Sequence, residues 1–230
     1  MQIPITLLFA SNNLHKAAEI NTIAGLTCKI ITLREAGIEI DIPEPHASFH
    51  DNALEKSRTI YQLTHKNCFS EDSGLEVKAL GGAPGVRSAR YAHDKATDQE
   101  NIDKLLKAMY TLADRTACFK TIISLQFDGG EYFFEGECSG QILSKQRGSA
   151  GFGYDPIFVP DGSTLSFAEM SNAEKNRFSH REKLFGKCFH FYKANKKTFN
   201  CSRFSSFHLL AQLTFPIRFE NWHLSPFPFL

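Results

Sequence analysis

The amino-acid sequence predicts an α/β fold built on a mixed β-sheet. Apolar segments with the character of strands alternate with segments in which apolar residues recur at helical spacing. In the middle of the chain, two strand-like segments flank the turn Asp128-Gly129-Gly130, which predicts an antiparallel hairpin. The 230 residues suffice for one domain with a sizeable core, which two lobes could share.

The first predicted elements are a strand, a tight polar turn and a helix. Residues 5–10 are apolar, and the run stops at residues 11–13, Ser-Asn-Asn. From Lys16 onward the apolar residues follow a helical period. Gly25 is suited to end this helix, because glycine readily adopts the left-handed backbone of a C-terminal cap.

A second helix, a buried strand and a third helix follow. Residues 49–64 carry apolar side chains at helical spacing, and Cys68–Val77 has the character of a buried strand. Thr97 and Glu100 have the spacing of a capping box, in which each side chain caps the backbone of the other. The apolar residues after Glu100 continue as a helix.

The central hairpin is followed by a glycine-rich loop. Residues 117–127 alternate between apolar and other side chains, as a half-buried strand does, and residues 131–137 return as its partner. Residues 151–160 form a glycine-rich loop that runs into a short apolar stretch. A polar helix is expected over residues 167–178.

The last part of the chain differs in composition. Residues 186–230 contain nine of the 21 phenylalanines, the only tryptophan and six Lys or Arg, with Glu220 as their single acid. After about Asn200 there is neither a steady helical period nor strand alternation. We therefore expect a domain over residues 1–197 and an atypical extension, disordered or loosely packed, over residues 198–230.

Charge and cysteine content argue against several classes of partner and site. The formal net charge is +1 and there is no polybasic arm, so we expect neither a nucleic-acid polymer nor a membrane as partner. The N-terminal apolar run lacks a basic region and is short for a signal peptide or membrane span, which favours the cytoplasm. The six cysteines form no zinc-binding pattern and are expected to be free thiols.

The turn after the first strand is a candidate phosphate site. It leads into a helix, whose first N–H groups are unpaired and whose dipole favours an anion. Ser11 and Asn13 add side-chain donors, and Lys16 adds a positive charge, which together suit a polyphosphate. An ordinary helix cap with a surface lysine is the alternative, and the glycines of a Walker A loop are missing.

Acidic residues form the second candidate site. Mg²⁺ needs one or two carboxylates together with phosphate oxygens and water. Glu71 and Asp72 are neighbours on a predicted strand, where adjacent side chains point to opposite faces, so we do not expect both to serve one site. Asp72, next to a serine and a glycine, is the better candidate; solvated surface acids are the alternative. Upstream acids are Glu39, Asp41 and Glu44.

Two further segments are candidates for nucleobase binding. In the glycine-rich loop, the glycines allow close approach of the backbone, Phe152 could stack on a base, and Asp155 could accept from a ring N–H. Lys175 and Arg181 flank His180, and the planar donor fork of Arg181 suits the keto edge of a purine. A tight loop with a core phenylalanine, and a structural histidine, are the alternatives.

Four segments of the chain match one known family, in order and at similar separations. They are residues 10–16 through Glu19, 48–53 through Lys56, 70–75 with 81–91, and 151–158 with 179–181. The chain thereby resembles the inosine/xanthosine triphosphate pyrophosphatase family over roughly residues 5–185. Residues 72–91 and the Gly-Phe-Gly-Tyr-Asp-Pro motif are the most specific parts of the resemblance.

The resemblance implies a two-lobed α/β fold around a long twisted sheet flanked by helices, with nucleotide in the cleft between the lobes, and a homodimer. It implies hydrolysis of ITP, dITP or XTP to the monophosphate and pyrophosphate with Mg²⁺. Glu44 and Asp72 would lie at the metal, with Asp72 also the general base. The implied substrate-binding residues are Ser11, Asn12, Asn13, Leu14, His15, Lys16, Lys56, Ser73, Phe152, Gly153, Tyr154, Asp155, Lys175, His180 and Arg181.

The chain departs from the family pattern in the first turn and in its last residues. The usual Thr-Gly-Asn is replaced by Ser-Asn-Asn at residues 11–13, and asparagine tolerates a left-handed backbone better than most residues. The composition of residues 186–230 does not belong to the pattern. Two other functions stay open: a pyrophosphatase for other modified nucleotides, and a nucleotide-binding protein that has lost catalysis.

Overall fold

The computed structural model describes residues 5–25 and 28–199, and it confirms the predicted α/β fold. Six strands form one mixed sheet in the order β2-β1-β3-β4-β5-β6. The elements are β1 (Ile5–Phe9), α1 (Leu14–Ala24), β2 (Cys28–Thr32), α2 (Phe49–Thr64), β3 (Cys68–Val77), α3 (Asp98–Ala108), β4 (Thr116–Phe127), β5 (Gly130–Ile142), β6 (Phe158–Pro160), α4 (Asn172–Phe178) and α5 (His180–Phe199).

Most helix ends lie where the sequence places them, because local caps decide them. The side chain of Asn13 accepts from Lys16 N–H at the start of α1, and Gly25 ends that helix with a φ of 57°. Thr97 and Glu100 form the predicted capping box at the start of α3. Local hydrogen bonds between near neighbours therefore define these boundaries.

Two parts of the fold differ from the sequence prediction. The five-residue strand β2 was not predicted, since its alternation is too short to stand out. The single helix expected over residues 167–178 is wrong: a 3₁₀ turn at Phe167–Glu169 is followed by the separate helix α4. Ser166 and Ser171 each form a capping box, so each begins a new helical segment.

The sheet is parallel at one side and antiparallel at the other. β1 pairs in parallel with β2 and β3, whereas β3, β4, β5 and β6 pair antiparallel in turn. On β1, Leu7 and Phe9 belong to the same apolar cluster as residues of α1 and α5, while Leu8 packs in a cluster with α2. Helices α1 and α5 therefore cover one face of the sheet, and α2 covers the other.

The long strands pass through two apolar clusters and so join two lobes. Phe69 of β3 and Ile123 of β4 lie in the first cluster, with α1 and α5. Leu75 of β3 lies in the second, which also contains residues of α3, β5 and β6. The stretch of β3 between Phe69 and Leu75 carries polar side chains, and it spans the gap between the lobes.

The edge of β3 is open where it crosses this gap. β1 pairs with β3 at two positions, Leu8 with Cys68 and Phe9 with Phe69. In the chain as described, no strand continues along that edge beyond Phe69. Side chains from both faces of β3 can therefore reach the same opening at this edge.

The C-terminal helix belongs to the core of the first lobe. Five side chains of α5 are buried against the sheet: Leu184, Phe185, Cys188, Phe189 and Tyr192. The predicted domain boundary at residue 197 lies in the last turn of α5, and residues 200–230 of the predicted extension lie outside the described residues. Within the described ranges, no helix combines the length and apolar character required to cross a membrane.

We expect Gly74→Ala to destabilise the protein by about 1–3 kcal/mol, since the added methyl overpacks a filled space. A Cβ there would meet Gly85 O, Ser88 Oγ at 2.6 Å and Phe49 Cε1 at 2.9 Å. Urea unfolding measures the change. Gly186→Ala is the control, because a Cβ at this exposed position of α5 meets nothing within 4 Å. It should stabilise the helix by about 0.8 kcal/mol, and equal effects of the two substitutions would contradict the packing argument.

Candidate active site

A cleft of about 770 Å³ lies between the two lobes, beside the open edge of β3. Its volume is in the range of pockets that hold drug-sized ligands. The turn after β1 lies at one part of the wall and the glycine-rich loop at another. The cleft is thus next to the carboxyl end of a parallel strand, where ligands of open α/β sheets usually bind.

On the α2 face of β3, one ammonium group joins two carboxylates. Lys56 Nζ donates to Glu44 Oε1 at 2.6 Å and to Asp72 Oδ1 at 3.3 Å. It also donates to the Glu71 carbonyl at 3.0 Å, on the edge of β3 that β1 leaves open. Arg90 Nη1 holds the other oxygen of Glu44 at 3.1 Å. Glu44 and Asp72 are therefore held close together although 27 residues separate them in the chain.

The protonation of this group follows from burial and from its partners. Burial raises the pKa of Asp72, and the charges of Lys56 and Lys16 only partly offset this. Burial alone would raise the pKa of Glu44, but Lys56 and Arg90 bring it below its usual value. Burial would likewise lower the pKa of Lys56, yet Asp72 and Glu44 raise it above its usual value. Lys56 is therefore charged and Glu44 ionised at neutral pH.

On the opposite face, acids and bases alternate in a buried chain of ion pairs. Lys175 Nζ contacts Asp155 Oδ2 at 2.7 Å and Glu19 Oε1 at 3.0 Å. Arg181 continues the chain, with Nη1 at 2.7 Å from Glu19 Oε2 and Nη2 at 2.9 Å from Glu71 Oε1. Each cation is held between two carboxylates, which fixes its position because the loss of one partner would leave a buried charge.

Glu71, whose side chain is fully buried, forms the last pair of this chain with Arg181. Burial opposes ionisation of Glu71, but Arg181 and Lys16 lower its pKa to about 2. Burial would also lower the pKa of Arg181, which the carboxylates of Glu71 and Glu19 raise instead. Both groups stay charged, since the opposite charge beside each outweighs the cost of removing it from water.

Glu71 and Asp72 share the cleft, which corrects the expectation that they would not. Their side chains do point to opposite faces, Glu71 toward Arg181 and Asp72 toward Lys56. Both nevertheless line one cavity. The reason is that β1 ends at Phe9, so the cleft reaches both faces around the open edge of β3.

Lys16 lies between the two charged groups. Its Nζ is 3.9 Å from Glu71 Oε1, and its side chain is largely buried. Burial lowers its pKa, as do the nearby charges of Lys56 and Arg181, against the opposite effect of Glu71 and Asp72. A buried cation beside other cations attracts an anion such as a phosphate, because the anion compensates the mutual repulsion.

The turn before Lys16 is organised by its own side chains. Asn13 N–H donates to Ser11 Oγ at 3.1 Å, so the Ser11 hydroxyl hydrogen is free to donate into the cleft. Arg34 N–H donates to Asn12 Oδ1 at 2.9 Å, which ties the turn to the segment after β2. Asn12 does not have a positive φ, so asparagine in place of the usual glycine leaves the turn unstrained. Leu14 is exposed.

An aromatic pair lies at the other end of the cleft. The rings of His15 and Phe152 stack with their centroids 5.5 Å apart. Lys175 Nζ is 5.2 Å and Arg181 Cζ 5.8 Å from the centroid of the Phe152 ring. The face of this ring is therefore surrounded by cationic side chains, which it attracts through its quadrupole.

The glycine-rich loop is held by hydrogen bonds made by the residues that were predicted to bind the substrate. Asp155 Oδ2 accepts from Phe152 N–H at 3.0 Å, as well as from Lys175. Tyr154 donates its buried hydroxyl to Ser88 O at 2.9 Å, and burial raises the pKa of that hydroxyl. Gly153 N–H donates to Asp98 Oδ2 at 2.6 Å. These bonds fix the loop before any ligand binds.

The predicted site residues line the cleft with two exceptions: Leu14 points away from it, and His180 has a side chain outside the described part of the structure. Arg181 Nη2 donates to Ser73 Oγ at 3.1 Å, which brings Ser73 into the same group. Of the other acids considered, Asp41 lines the cleft beside Glu44.

Sequence reasoning gave no role to four residues that hold the site together: Glu19, Asn52, Arg90 and Asp98. Glu19, Asn52 and Arg90 lie in segments that carry the family resemblance, whereas Asp98 lies outside them. Their partners are distant in the chain, so the sequence offers no sign of which groups they contact. For Glu19 the one local signal is its position three residues after Lys16, next to it on α1.

The carboxylates of Glu44 and Asp72 are suited to a divalent cation. Lys56 Nζ already lies between them, which shows that the space favours positive charge. Within residues 5–25 and 28–199, no three His, Cys, Asp or Glu side chains converge as a metal cage. Mg²⁺ does not require such a cage, since it binds through one or two carboxylates with phosphate oxygens and water.

Comparison with known proteins gives consistent matches along most of the chain. A family model described as the Ham1 family matches residues 7–191. A dITP/XTP pyrophosphatase of Porphyromonas gingivalis is 48% identical over 176 residues, which cover 76% of this chain and 91% of that protein. A dITP/XTP pyrophosphatase of Christiangramia forsetii is 43% identical over 175 residues, covering 76% and 92%.

Solved structures match the fold as well. The Staphylococcus aureus Ham1 protein is 34% identical with a TM-score of 0.75, and the match covers 83% of this chain and 99% of that one. A HAM1 protein from Coxiella burnetii is 35% identical, with the same TM-score and the same coverage. These matches span both lobes and therefore include the cleft.

We expect Glu71→Gln to cost about 3 kcal/mol of stability at pH 7, because it leaves Arg181 without one of its buried carboxylates. The pKa of Glu71 is depressed in the folded protein, so its stabilisation is complete above the ordinary glutamate value of about 4.3. It is lost as the pH falls from there toward about 2. The difference between wild type and variant should therefore shrink between pH 5 and pH 3 in urea unfolding.

The matched control is Glu135→Gln, at an exposed position of β5. It should change the free energy of unfolding by less than about 0.5 kcal/mol. A cost of Glu71→Gln that stays constant from pH 7 to pH 3 would contradict the ion-pair assignment.

Proposed function

The chain belongs to the Ham1 family, and on that premise we propose that it hydrolyses non-canonical purine nucleoside triphosphates, such as ITP, dITP and XTP, to the monophosphate and pyrophosphate. One observation supports this most: a single cleft joins a cation-rich end, at Lys16 and Lys56, to an aromatic end at Phe152. A nucleotide has the same two parts, a polyanionic chain and a flat base. The matched relatives are named for this activity.

We infer the direction in which the nucleotide binds from the first turn and the aromatic ring. We place the triphosphate at Lys16 and Lys56, where the first turn offers the Ser11 hydroxyl and the start of α1. The base then lies toward Phe152 and Arg181, where an aromatic face and a planar donor group are available. We propose that Ser73, which accepts from Arg181, also contacts the substrate.

The reaction is attack of water on the α-phosphorus. The bond from the water oxygen to the α-phosphorus forms, and the bond from that phosphorus to the oxygen bridging to the β-phosphate breaks. Asp72 accepts the proton of the water, and Lys16 and Lys56 stabilise the negative charge of the departing pyrophosphate. Asp72 suits this role because burial raises its pKa, which makes it a stronger base than an exposed aspartate.

We propose Mg²⁺ as the cofactor, held by Glu44 and Asp72. When bound, it neutralises charge on the phosphate oxygens and helps to activate the attacking water. Glu44 is suited to this because Lys56 and Arg90 keep its carboxylate ionised. The same two cations hold its two oxygens in place on the wall of the cleft.

Selectivity is assigned to Arg181. Four of its five N–H groups are committed, to Glu71, Glu19 and Ser73, which leaves one Nη1–H for a ligand. A keto oxygen at position 6 of a purine accepts such a hydrogen, whereas the amino group of adenine presents a donor. Adenine nucleotides would leave this buried donor unpaired, which can reduce kcat/KM by about 10⁴-fold.

We also propose that the protein acts as a homodimer in the cytoplasm. The dimer rests on the family resemblance, and light scattering of the purified protein tests it. The cytoplasm is supported by the five described cysteines, which are all free thiols, as expected of a reducing compartment.

We expect the purified protein to release pyrophosphate, rather than single phosphate, from dITP and XTP in the presence of Mg²⁺. Asp72→Asn should lower kcat by about 10³-fold or more, because it removes the base without removing side-chain volume. Coupled detection of pyrophosphate, together with a thermal melt of each protein, measures both effects.

Four outcomes would contradict parts of this assignment. Release of single phosphate would exclude the pyrophosphatase reaction. An unchanged kcat in Asp72→Asn would remove Asp72 from the mechanism. Faster turnover of modified pyrimidine triphosphates than of dITP, or tight binding of dITP without turnover, would favour the two other functions left open by the sequence.

We expect Arg181→Lys to reduce discrimination between ITP and ATP by about 10²-fold, since lysine keeps the charge but loses the planar donor fork. The measurement is the ratio of kcat/KM for the two nucleotides. Arg177→Lys, at an exposed position of α4, is the control and should leave the ratio unchanged. An unchanged ratio in Arg181→Lys would show that another group reads position 6 of the base.

A further inference from the structure

The carboxamide of Asn52 links Asp72 to the segment that carries Glu44. Asn52 lies in α2 and its side chain is fully buried. Its Nδ2 donates to Asp72 Oδ2 at 3.3 Å and to His46 O at 3.1 Å. Its Oδ1 accepts from His46 N–H at 3.0 Å. Both N–H groups and the oxygen of this amide are therefore used.

The segment around Glu44 depends on such contacts for its position. Residues 38–46 have no regular secondary structure, so no ladder of backbone hydrogen bonds holds them. Asn52 binds both backbone polar groups of His46, two residues after Glu44. A single side chain thus replaces the backbone partner that a strand or helix would supply there.

Asn52 and Lys56 act from the same face of α2. They are four residues apart, which places them one above the other on the helix. Asn52 donates to Oδ2 of Asp72 and Lys56 to Oδ1, so each holds one oxygen of the carboxylate. Each also holds the segment opposite, Asn52 at His46 and Lys56 at Glu44.

We propose that Asn52 is a positioning residue for the metal-binding and catalytic carboxylates. It fixes the rotation of the Asp72 carboxylate, and it fixes the distance between β3 and the segment that carries Glu44. Lys56 restrains this carboxylate less on its own, because it holds only Oδ1, at 3.3 Å, and its ammonium group also donates to Glu44 and to the Glu71 carbonyl. The effect of Asn52 on catalysis rests on the proposed function. Its effect on the positions of the two carboxylates, the positional part of the inference, rests on the geometry alone.

The size of the expected effect follows from what is general for residues that hydrogen-bond to the ligands of a metal. Residues that orient metal ligands without touching the metal usually change metal affinity or activity by about 10–100-fold when they are replaced. A small displacement of a reacting group has a comparable effect on rate. Asn52 should therefore influence kcat and metal affinity, while KM for the nucleotide changes little.

The test uses the full-length protein with Asn52→Ala, and Mn²⁺ as the probe of the metal site. Titration followed by electron paramagnetic resonance, without nucleotide, should show Mn²⁺ affinity weakened about tenfold. With dITP, kcat should fall about 10–100-fold and KM should stay within about threefold. A thermal melt of each protein separates these effects from a general loss of folding.

Asn67→Ala is the control. Asn67 does not line the cleft, and its carboxamide also holds backbone, since Oδ1 accepts from Asp128 N–H at 2.9 Å while Nδ2 donates to Asp128 Oδ1 at 3.1 Å. It should lower the melting temperature without the loss of Mn²⁺ affinity expected of Asn52→Ala. If the two variants lose stability, Mn²⁺ affinity and kcat equally, Asn52 is a structural residue only and the proposal is overturned.

A second variant, Asn52→Asp, covers the case in which alanine unfolds the protein. Aspartate keeps the shape of the side chain and the acceptor for His46 N–H, but it cannot donate to Asp72. The proposal expects a fall in kcat close to that of alanine. Wild-type kcat in this variant would overturn the proposal, because the donated hydrogen bond would then be unnecessary.

The design separates failure of this inference from failure of the proposed function. A wild-type protein that releases no pyrophosphate from dITP or XTP would refute the function. The Mn²⁺ titration needs no turnover and would still test the positional part. Wild-type turnover combined with unchanged Mn²⁺ affinity and kcat in Asn52→Ala would refute the inference alone.

Discussion

The cleft depends on the point at which the parallel part of the sheet ends. β1 ends at Phe9, while β3 continues for eight residues beyond its last pairing with β1, at Phe69. A strand paired with β3 beyond Phe69 would have placed Glu71 and Asp72 on separate surfaces of the sheet, each covered by a helix. Because the edge is open, both side chains line one cavity, and elements from both faces of the sheet supply its walls. The long antiparallel pairing of β3 with β4 keeps this stretch in register.

Charge compensation is the second constraint, because the cleft contains more buried charge than an apolar interior tolerates. On each face, cations and carboxylates alternate: Lys56 joins Glu44 to Asp72, and Arg181 joins Glu19 to Glu71. Such pairs contribute little net stability, but the loss of one member is costly. They are therefore better understood as restraints on geometry, which a site for phosphoryl transfer requires since most of its catalysis comes from positioned charges.

The sequence predicted those parts of the fold that local interactions decide. The capping box at Thr97, the turn at residues 128–130 and the helix Phe49–Thr64 all follow from residues near one another in the chain. The strand β2 was missed because five residues give too little pattern, and the helix over residues 167–178 was wrong because a second capping serine, Ser171, restarts it. Strand pairing could not be derived, since it depends on contacts between distant segments.

The sequence by itself determined the chemistry of this protein. It showed which segments carry the family resemblance, and it supplied lysines, carboxylates, an aromatic ring and an arginine that suit a nucleotide. The tertiary structure decided how they are combined. It placed Asp72 with Glu44, and Arg181 with Glu19 and Glu71, and it gave Asn52 a role that no motif indicated. The physical reason is that hydrogen bonds and ion pairs form between groups that are close in space, and the packing of the helices beside the open edge of β3 brings these distant segments together.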